Sequence, residues 1–196
     1  MKVVIGVTGA SGAVLAAETL RQLGRAGAEI HLVITSGALL TIGHELGPSG
    51  VAGMQNCASF IHDASDLGAP VASGSHGMDA MAVVPCSMRS LAAIAHGFGD
   101  NLLTRAADVM LKERRRLVLV PREAPLHESH LQSMLTLTRM GAIVAPPVPH
   151  FYTRPQSVED IVREIAARVV AWLGLDPGSA MTRWQGTASS ASQEGD

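Results

Sequence analysis

The sequence predicts a single α/β domain, a Rossmann-like parallel sheet of flavodoxin type with helices on both faces. Three observations predict it. Short apolar runs rich in β-branched residues recur, as in Val3 to Val7, Ala80 to Val84 and Leu117 to Val120, the pattern of strands covered on both sides. Stretches with helical periodicity separate these runs, and strands alternating with helices imply parallel pairing. A length of 196 residues, with 47 % hydrophobic and 16 % charged residues, suits one core and excludes a disordered chain.

The elements follow in order. Val3 to Val7 is the first strand, and Gly9-Ala10-Ser11-Gly12 turns it into a helix carrying Val14, Leu15, Leu20 and Leu23 on one face. Glu29 to Ile34 is the second strand, handing over to a helix at Thr35-Ser36. Between residues 47 and 76 glycine, serine, proline and alanine predominate, and only Phe60-Ile61-His62 reads as a strand. Ala80 to Val84 is a buried strand ended by Pro85, and Ser87 caps a helix that runs through His96. Leu102 to Arg115 is predicted helical, with Arg114-Arg115-Arg116 complementing the negative end of its dipole. Leu117 to Val120 is a strand closed by Pro121, followed by a helix from about His127 to Arg139 and a short strand at Ala142 to Val144. Ser157-Val158-Glu159-Asp160 resembles a capping box, and Val158, Ile161, Val162, Ile165, Val169 and Leu173 form the stripe of a last long helix. The domain is taken as residues 1–186; residues 187–196, with nothing to bury, are expected to be a disordered tail.

Composition excludes several functions. A net charge of −2 and an aromatic content of 3 % give neither a basic footprint nor stacking platforms for nucleic acid. No apolar run reaches the ~18 residues that cross a bilayer, so no membrane partner is expected. The N-terminal apolar stretch is too brief for a signal peptide, and Cys57 and Cys86 are far apart, so a reducing, cytoplasmic location is expected. No metal site is expected either, since the cysteines form no C-x-x-C and His127 and His130 read as a solvated helix face.

In open parallel sheets ligands lie beyond the carboxyl ends of the strands. Gly9 to Gly12, Thr35-Ser36, Pro85 to Ser90 and Pro121 to Glu123 all stand directly after strands. The first of these places glycines beside unpaired amides and the positive end of a helix, where an anion fits. Its spacing is neither the G-x-G-x-x-G of dinucleotide binding nor a P-loop, and Thr35 replaces the acid that would grip a ribose diol. Thr35, Ser36, Ser87 and Ser90 serve either as helix caps or as donors to a phosphate or a flavin edge. Arg122 and Glu123 are either a solvated pair or a clamp with a proton-transfer group. Cys86 reads as a small buried residue.

Several stretches together carry a resemblance: TGASGA at Thr8 to Ala13, ASGS at Ala72 to Ser75, PCSMRSL at Pro85 to Leu91, NLLTRAADVMLKERR at Asn101 to Arg115, LVLVPREAPL at Leu117 to Leu126 and FYTRPQS at Phe151 to Ser157. Over residues 1–186 the chain resembles the UbiX-type flavin prenyltransferases. The resemblance implies transfer of a dimethylallyl group from dimethylallyl phosphate to reduced FMN without a catalytic metal. It also implies a homo-oligomer of twelve subunits with sites at subunit contacts, and a product consumed by a UbiD-type decarboxylase. By motif, Gly9, Ala10, Ser11, Thr35, Ser87, Met88, Arg89, Ser90 and Arg122 match FMN-binding positions. Tyr152 and Arg168 match contacts to the prenyl phosphate, and Lys112, Arg122 and Glu123 match a charged phosphate cluster. Ser11 matches a position near that phosphate, Glu45 a carboxylate implicated in proton handling, and Trp184 an aromatic near the C-terminus. Two departures stand out: the family's Ser-Lys pair is Thr35-Ser36 here, and Leu67 lies where some members carry tryptophan.

These residue types suit the implied chemistry. Fixed cations stabilise a departing phosphate more in the transition state than in the ground state, and the π-face of Tyr152 or Trp184 favours the allylic cation. Glu123 or the released phosphate is the base that removes the ring proton. The donor is a mono- or a diphosphate. Two other readings share the first turn: an FMN-dependent cysteine decarboxylase, which requires a P-x-M-N loop where Pro121-Arg122-Glu123-Ala124 stands, and a non-catalytic FMN-carrying subunit of a decarboxylase complex.

Overall fold

The computed structural model describes residues 1–186; the expected tail at 187–196 lies outside them. Six strands form one parallel sheet: β1 (Lys2–Val7), β2 (Glu29–Ile34), β3 (Phe60–Asp63), β4 (Ala80–Cys86), β5 (Arg116–Pro121) and β6 (Ile143–Val144). Their order, β3-β2-β1-β4-β5-β6, is that of a doubly wound sheet, and its winding reverses between β1 and β4. The helices are α1 (Ala13–Arg25), α2 (Ser36–Leu46), α3 (Gly50–Gln55), α4 (Met88–Ala95), α5 (Leu102–Lys112), α6 (Glu128–Arg139) and α7 (Val158–Leu173).

Alternation along β1 divides the interior in two. Val3, Ile5 and Val7 join α1, α2 and α7 in one core, while Val4 faces α4 and α5 in the other. Gly6 belongs to the second face, where a Cβ would come within 2.7 Å of Leu103 Cδ1, so the strand crosses α5 at a distance only glycine allows. Both faces of β1 are thus sealed by apolar side chains.

The long helix α7 begins as expected: Ser157 Oγ accepts from Asp160 N at 3.1 Å, and Asp160 Oδ2 accepts from Ser157 N at 3.1 Å. Three differences from the sequence reading stand out. Strand β4 continues through Pro85 to Cys86, which pairs with Pro121 across a register shift. A short helix, α3, lies in the stretch read as irregular, anchored by the buried Met54.

The third difference concerns α5, which stops at Lys112 rather than Arg115. The amides of Arg114 and Arg115 bond back to the carbonyls of Leu111 and Met110, and Arg114 takes a left-handed φ of 54°. Arg116 already belongs to β5, so the three arginines do not share a helix end. Helix α7 closes with the same pattern of bonds but has Gly174 at the left-handed position. Arg114→Gly is therefore expected to stabilise the fold by about 0.5–1 kcal/mol, the left-handed penalty less glycine's entropy. For a chain this long that is roughly 1–4 °C in Tm, and an unchanged or lower Tm by calorimetry refutes it.

Candidate active site

At the reversal point the chain leaves β1 and β4 in opposite directions and opens a crevice at the carboxyl edge. A cavity of about 730 Å³ lies there, lined by Gly9 after β1, by Thr35, Ser36 and Gly37 at the start of α2, and by Ser87, Arg89 and Ser90 at the start of α4. Thr35 Oγ1 accepts from Ala38 N and donates to the Val7 carbonyl, capping α2 and holding it to β1. Ser87 caps α4 through Ser90 N and pairs with the Ser90 hydroxyl at 3.1 Å. Thr35 and Ser87 are thus helix caps, and they line the cavity together with Ser36 and Ser90.

One stripe of α2 shapes the first turn. Gly37, Thr41 and Glu45 recur every four residues. Gly37 lies so close to the turn that a Cβ on Gly9 would come within 3.0 Å of its carbonyl carbon, and Thr41 Oγ1 donates to the Gly9 carbonyl at 3.1 Å. The Glu45 carboxylate accepts from Gly12 N at 3.0 Å and from Ala13 N at 2.7 Å, directly on the opening of α1.

The opening of α1, read from the sequence as a place for an anion, is held in this structure by a carboxylate of the chain itself. Burial alone would raise the Glu45 carboxyl. The bonds from Ser11, Ala13 and Gly12, with the positive charge of Arg122, outweigh it and hold the group below the ordinary carboxylate range. The unclaimed anion positions are the starts of α2 and α4, inside the cavity. Glu45 thus stands as an ionised clamp.

Of the residues matched by motif, Gly9, Thr35, Ser87, Arg89 and Ser90 line the cavity. Ala10 and Ser11 belong to the turn beside it, with Ser11 bonded to Glu45. Met88 and Arg89 also border a neighbouring cavity of about 470 Å³ between α4 and α6. The amide of Arg122 donates to the Cys86 carbonyl at 3.2 Å, which brings the end of β5 to the same edge. Glu123 is exposed and accepts from Ala124 N.

Lys112 does not join Arg122 and Glu123 within one chain. It precedes β5 whereas they follow it, so six residues of strand, roughly 20 Å, separate the two ends. Lys112 instead pairs with Glu113. Arg168 on α7, Tyr152 before it and Trp184 after it form a third group. Arg168 bonds the Tyr152 hydroxyl and lies 3.0 Å from Glu164, and Trp184 meets the Tyr152 ring edge-on at 5.5 Å. Among the described residues no hydrogen bond or ion pair joins this group to Arg122 or Glu123.

Sequence reasoning missed Asp63, Ser65, Asp100 and Asn101, which close the far side of the cavity. Asp63 does follow a strand, and Asn101 opens α5 with a capping box, so both signals were present. Asp100 pairs with Arg89 and accepts from Asn101 and Thr104, turning the guanidinium along the cavity wall. Cys86 is fully buried, and burial pushes its thiol up to about 12, so it supplies no thiolate near neutral pH.

Two helix openings, the hydroxyls of Thr35, Ser36, Ser87 and Ser90 and one guanidinium around a glycine-lined crevice suit a phosphate monoester, and the carboxylates opposite suit hydroxyl donors. That donor set fits FMN, and the fold and crevice define a flavoprotein. Residues 1–170 match the Flavoprotein family. The flavin prenyltransferase UbiX of Neisseria meningitidis is 47 % identical over 188 residues, covering 95 % of this chain and 98 % of the relative. The crystal structure of AnUbiX with FMN and dimethylallyl pyrophosphate superposes with a TM-score of 0.91 at 47 % identity, covering 94 % of this chain and 97 % of that one. A dodecameric FMN-dependent UbiX-like decarboxylase from Escherichia coli O157:H7 gives a TM-score of 0.91 at 46 % identity, covering 95 % and 100 %. The chain belongs to the UbiX-like flavin prenyltransferases.

Glu45→Gln removes the charge from the clamp and is expected to cost about 0.5–1 kcal/mol at pH 7, a figure kept low because the carboxylate is exposed. The folded-state value is depressed, so this stabilisation is full above about pH 5 and is lost as the pH falls through and below the ordinary value of about 4.3. Melting curves of both proteins across that range check it; a difference independent of pH contradicts the ionised clamp.

Proposed function

We propose that this protein transfers a dimethylallyl group from dimethylallyl phosphate to reduced FMN, making prenylated FMN for a UbiD-type decarboxylase. The observation that carries the reading is the convergence of the α2 and α4 openings on a cavity whose other wall is Gly9, in a chain that matches UbiX proteins along almost its whole length. FMN supplies the nucleophilic ring that accepts the prenyl carbon. Thr35, Ser87, Ser90 and Arg89 hold the cofactor's phosphate end, and Gly9 and Ala10 leave room for close approach of the backbone.

Arg122, Lys112, Arg168 and Tyr152 bind and neutralise the prenyl phosphate, whose charge grows as the allylic carbon departs. Tyr152 and Trp184 offer π-faces to that carbon. Glu123 stands exposed just after β5, available to take a proton, whereas the clamped Glu45 holds the first turn in shape. Because these groups fall into three places within one chain, the complete site requires assembly. Exposed Leu40, Phe151 and Trp184 support contacts between copies, and the E. coli relative is dodecameric. Two free thiols fit a cytoplasmic setting.

Incubation with reduced FMN and either dimethylallyl phosphate or diphosphate, followed by mass spectrometry of the flavin, tests the reaction. A flavin heavier by one dimethylallyl unit is expected, and an unchanged flavin with both donors refutes it. Glu123→Gln is expected to bind FMN with unchanged affinity and to lower turnover at least tenfold; loss of flavin binding would make the carboxylate structural. Mixing Lys112→Ala with Arg122→Ala chains is expected to restore part of the activity each lacks alone, and no recovery argues against a site shared between copies.

A further inference from the structure

The Thr8 side chain is the join between the two halves of the crevice. It is 2 % exposed, its Oγ1 donates to the Pro85 carbonyl at 2.7 Å, and the same oxygen accepts from Ser87 N at 2.7 Å. Its own amide points to the Pro85 carbonyl at 3.4 Å. One hydroxyl therefore ties the residue before Gly9 to the residue that caps α4, across the point where the winding reverses. The tie extends further, because the Cys86 carbonyl, between those two partners, accepts from Arg122 N. Two loops are joined through the Thr8 oxygen, and the third is held to the second by a neighbouring backbone bond.

We infer that Thr8 is a positioning residue for the flavin phosphate: its hydroxyl fixes the distance between the Gly9 turn and the Ser87 cap, so that their donors meet the phosphate already placed. This inference rests on the FMN reading given above. A hydroxyl used as donor and acceptor at once is well satisfied, and replacing it by a methyl strands the part-buried Ser87 amide and leaves the Pro85 carbonyl only the long bond from the Thr8 amide. Branching at Cβ also limits the rotamers, which keeps the oxygen aimed between its two partners. Thr8 lines neither of the two cavities described above and need not touch the ligand; it acts through Ser87 and Gly9.

The test compares Thr8→Val, Thr8→Ser and Thr19→Val. Thr19 is equally buried, and its hydroxyl donates only to Leu15 within α1, so it reports the cost of losing a buried hydroxyl away from the crevice. FMN affinity is read by quenching of flavin fluorescence, alongside Tm. Thr8→Val is expected to weaken FMN binding roughly tenfold or more and to raise the KM for FMN more than it lowers kcat. Thr8→Ser is expected to recover affinity to within about threefold of wild type, and Thr19→Val to bind FMN as wild type does whatever its Tm. Unchanged affinity in Thr8→Val, or an equal loss in Thr19→Val, overturns the inference while leaving the FMN reading in place. If wild type itself fails to bind FMN, both fall. Should Thr8→Val not fold, Thr8→Cys, with a weakly bonding sulfur in place of the hydroxyl, is read in the same way.

Discussion

A parallel sheet covered on both faces leaves its polar chemistry one outlet, and the rest of this structure depends on that constraint. Residues of β1 alternate into two apolar cores, so neither face of the strand can carry a functional side chain. What remains is the carboxyl edge, where chains turn, helices begin and amides point outward without partners. Each residue lining the main cavity belongs to a strand end, a helix start or the link between them.

Helices that start at one edge present several positive openings close together, and the structure treats them unequally. Glu45 closes that of α1, whereas those of α2 and α4 face the cavity capped only by neutral hydroxyls. The internal carboxylate at the first opening satisfies its amides and complements the positive end of α1.

Much of this was legible in the sequence because the signals are local. The bounds of β2 and the capping box of α7 involve residues within a few positions of each other, and β-branched runs mark the strands without ambiguity. Elements held by tertiary contact were not legible. Helix α3, with two glycines in six residues, has little propensity of its own and is secured by Met54 in the core. The Arg114 to Arg116 run looked like charge at a helix end, but the backbone turns left-handed at Arg114 and feeds the next strand. Glu45 bonds amides more than thirty residues away, which no local pattern announces. Lys112 and Arg122 are near in sequence and far in space because a whole strand runs between them.

The burial of Cys86 has a consequence for durability. Reduced flavins react with dioxygen, and the peroxide that results attacks thiolates far faster than thiols. Cys86 adjoins Ser87 at the cavity wall, yet its sulfur stays protonated and walled off from solvent. The protein thus keeps a sulfur next to a pocket suited to a redox-active ring without exposing a thiolate to oxidants there.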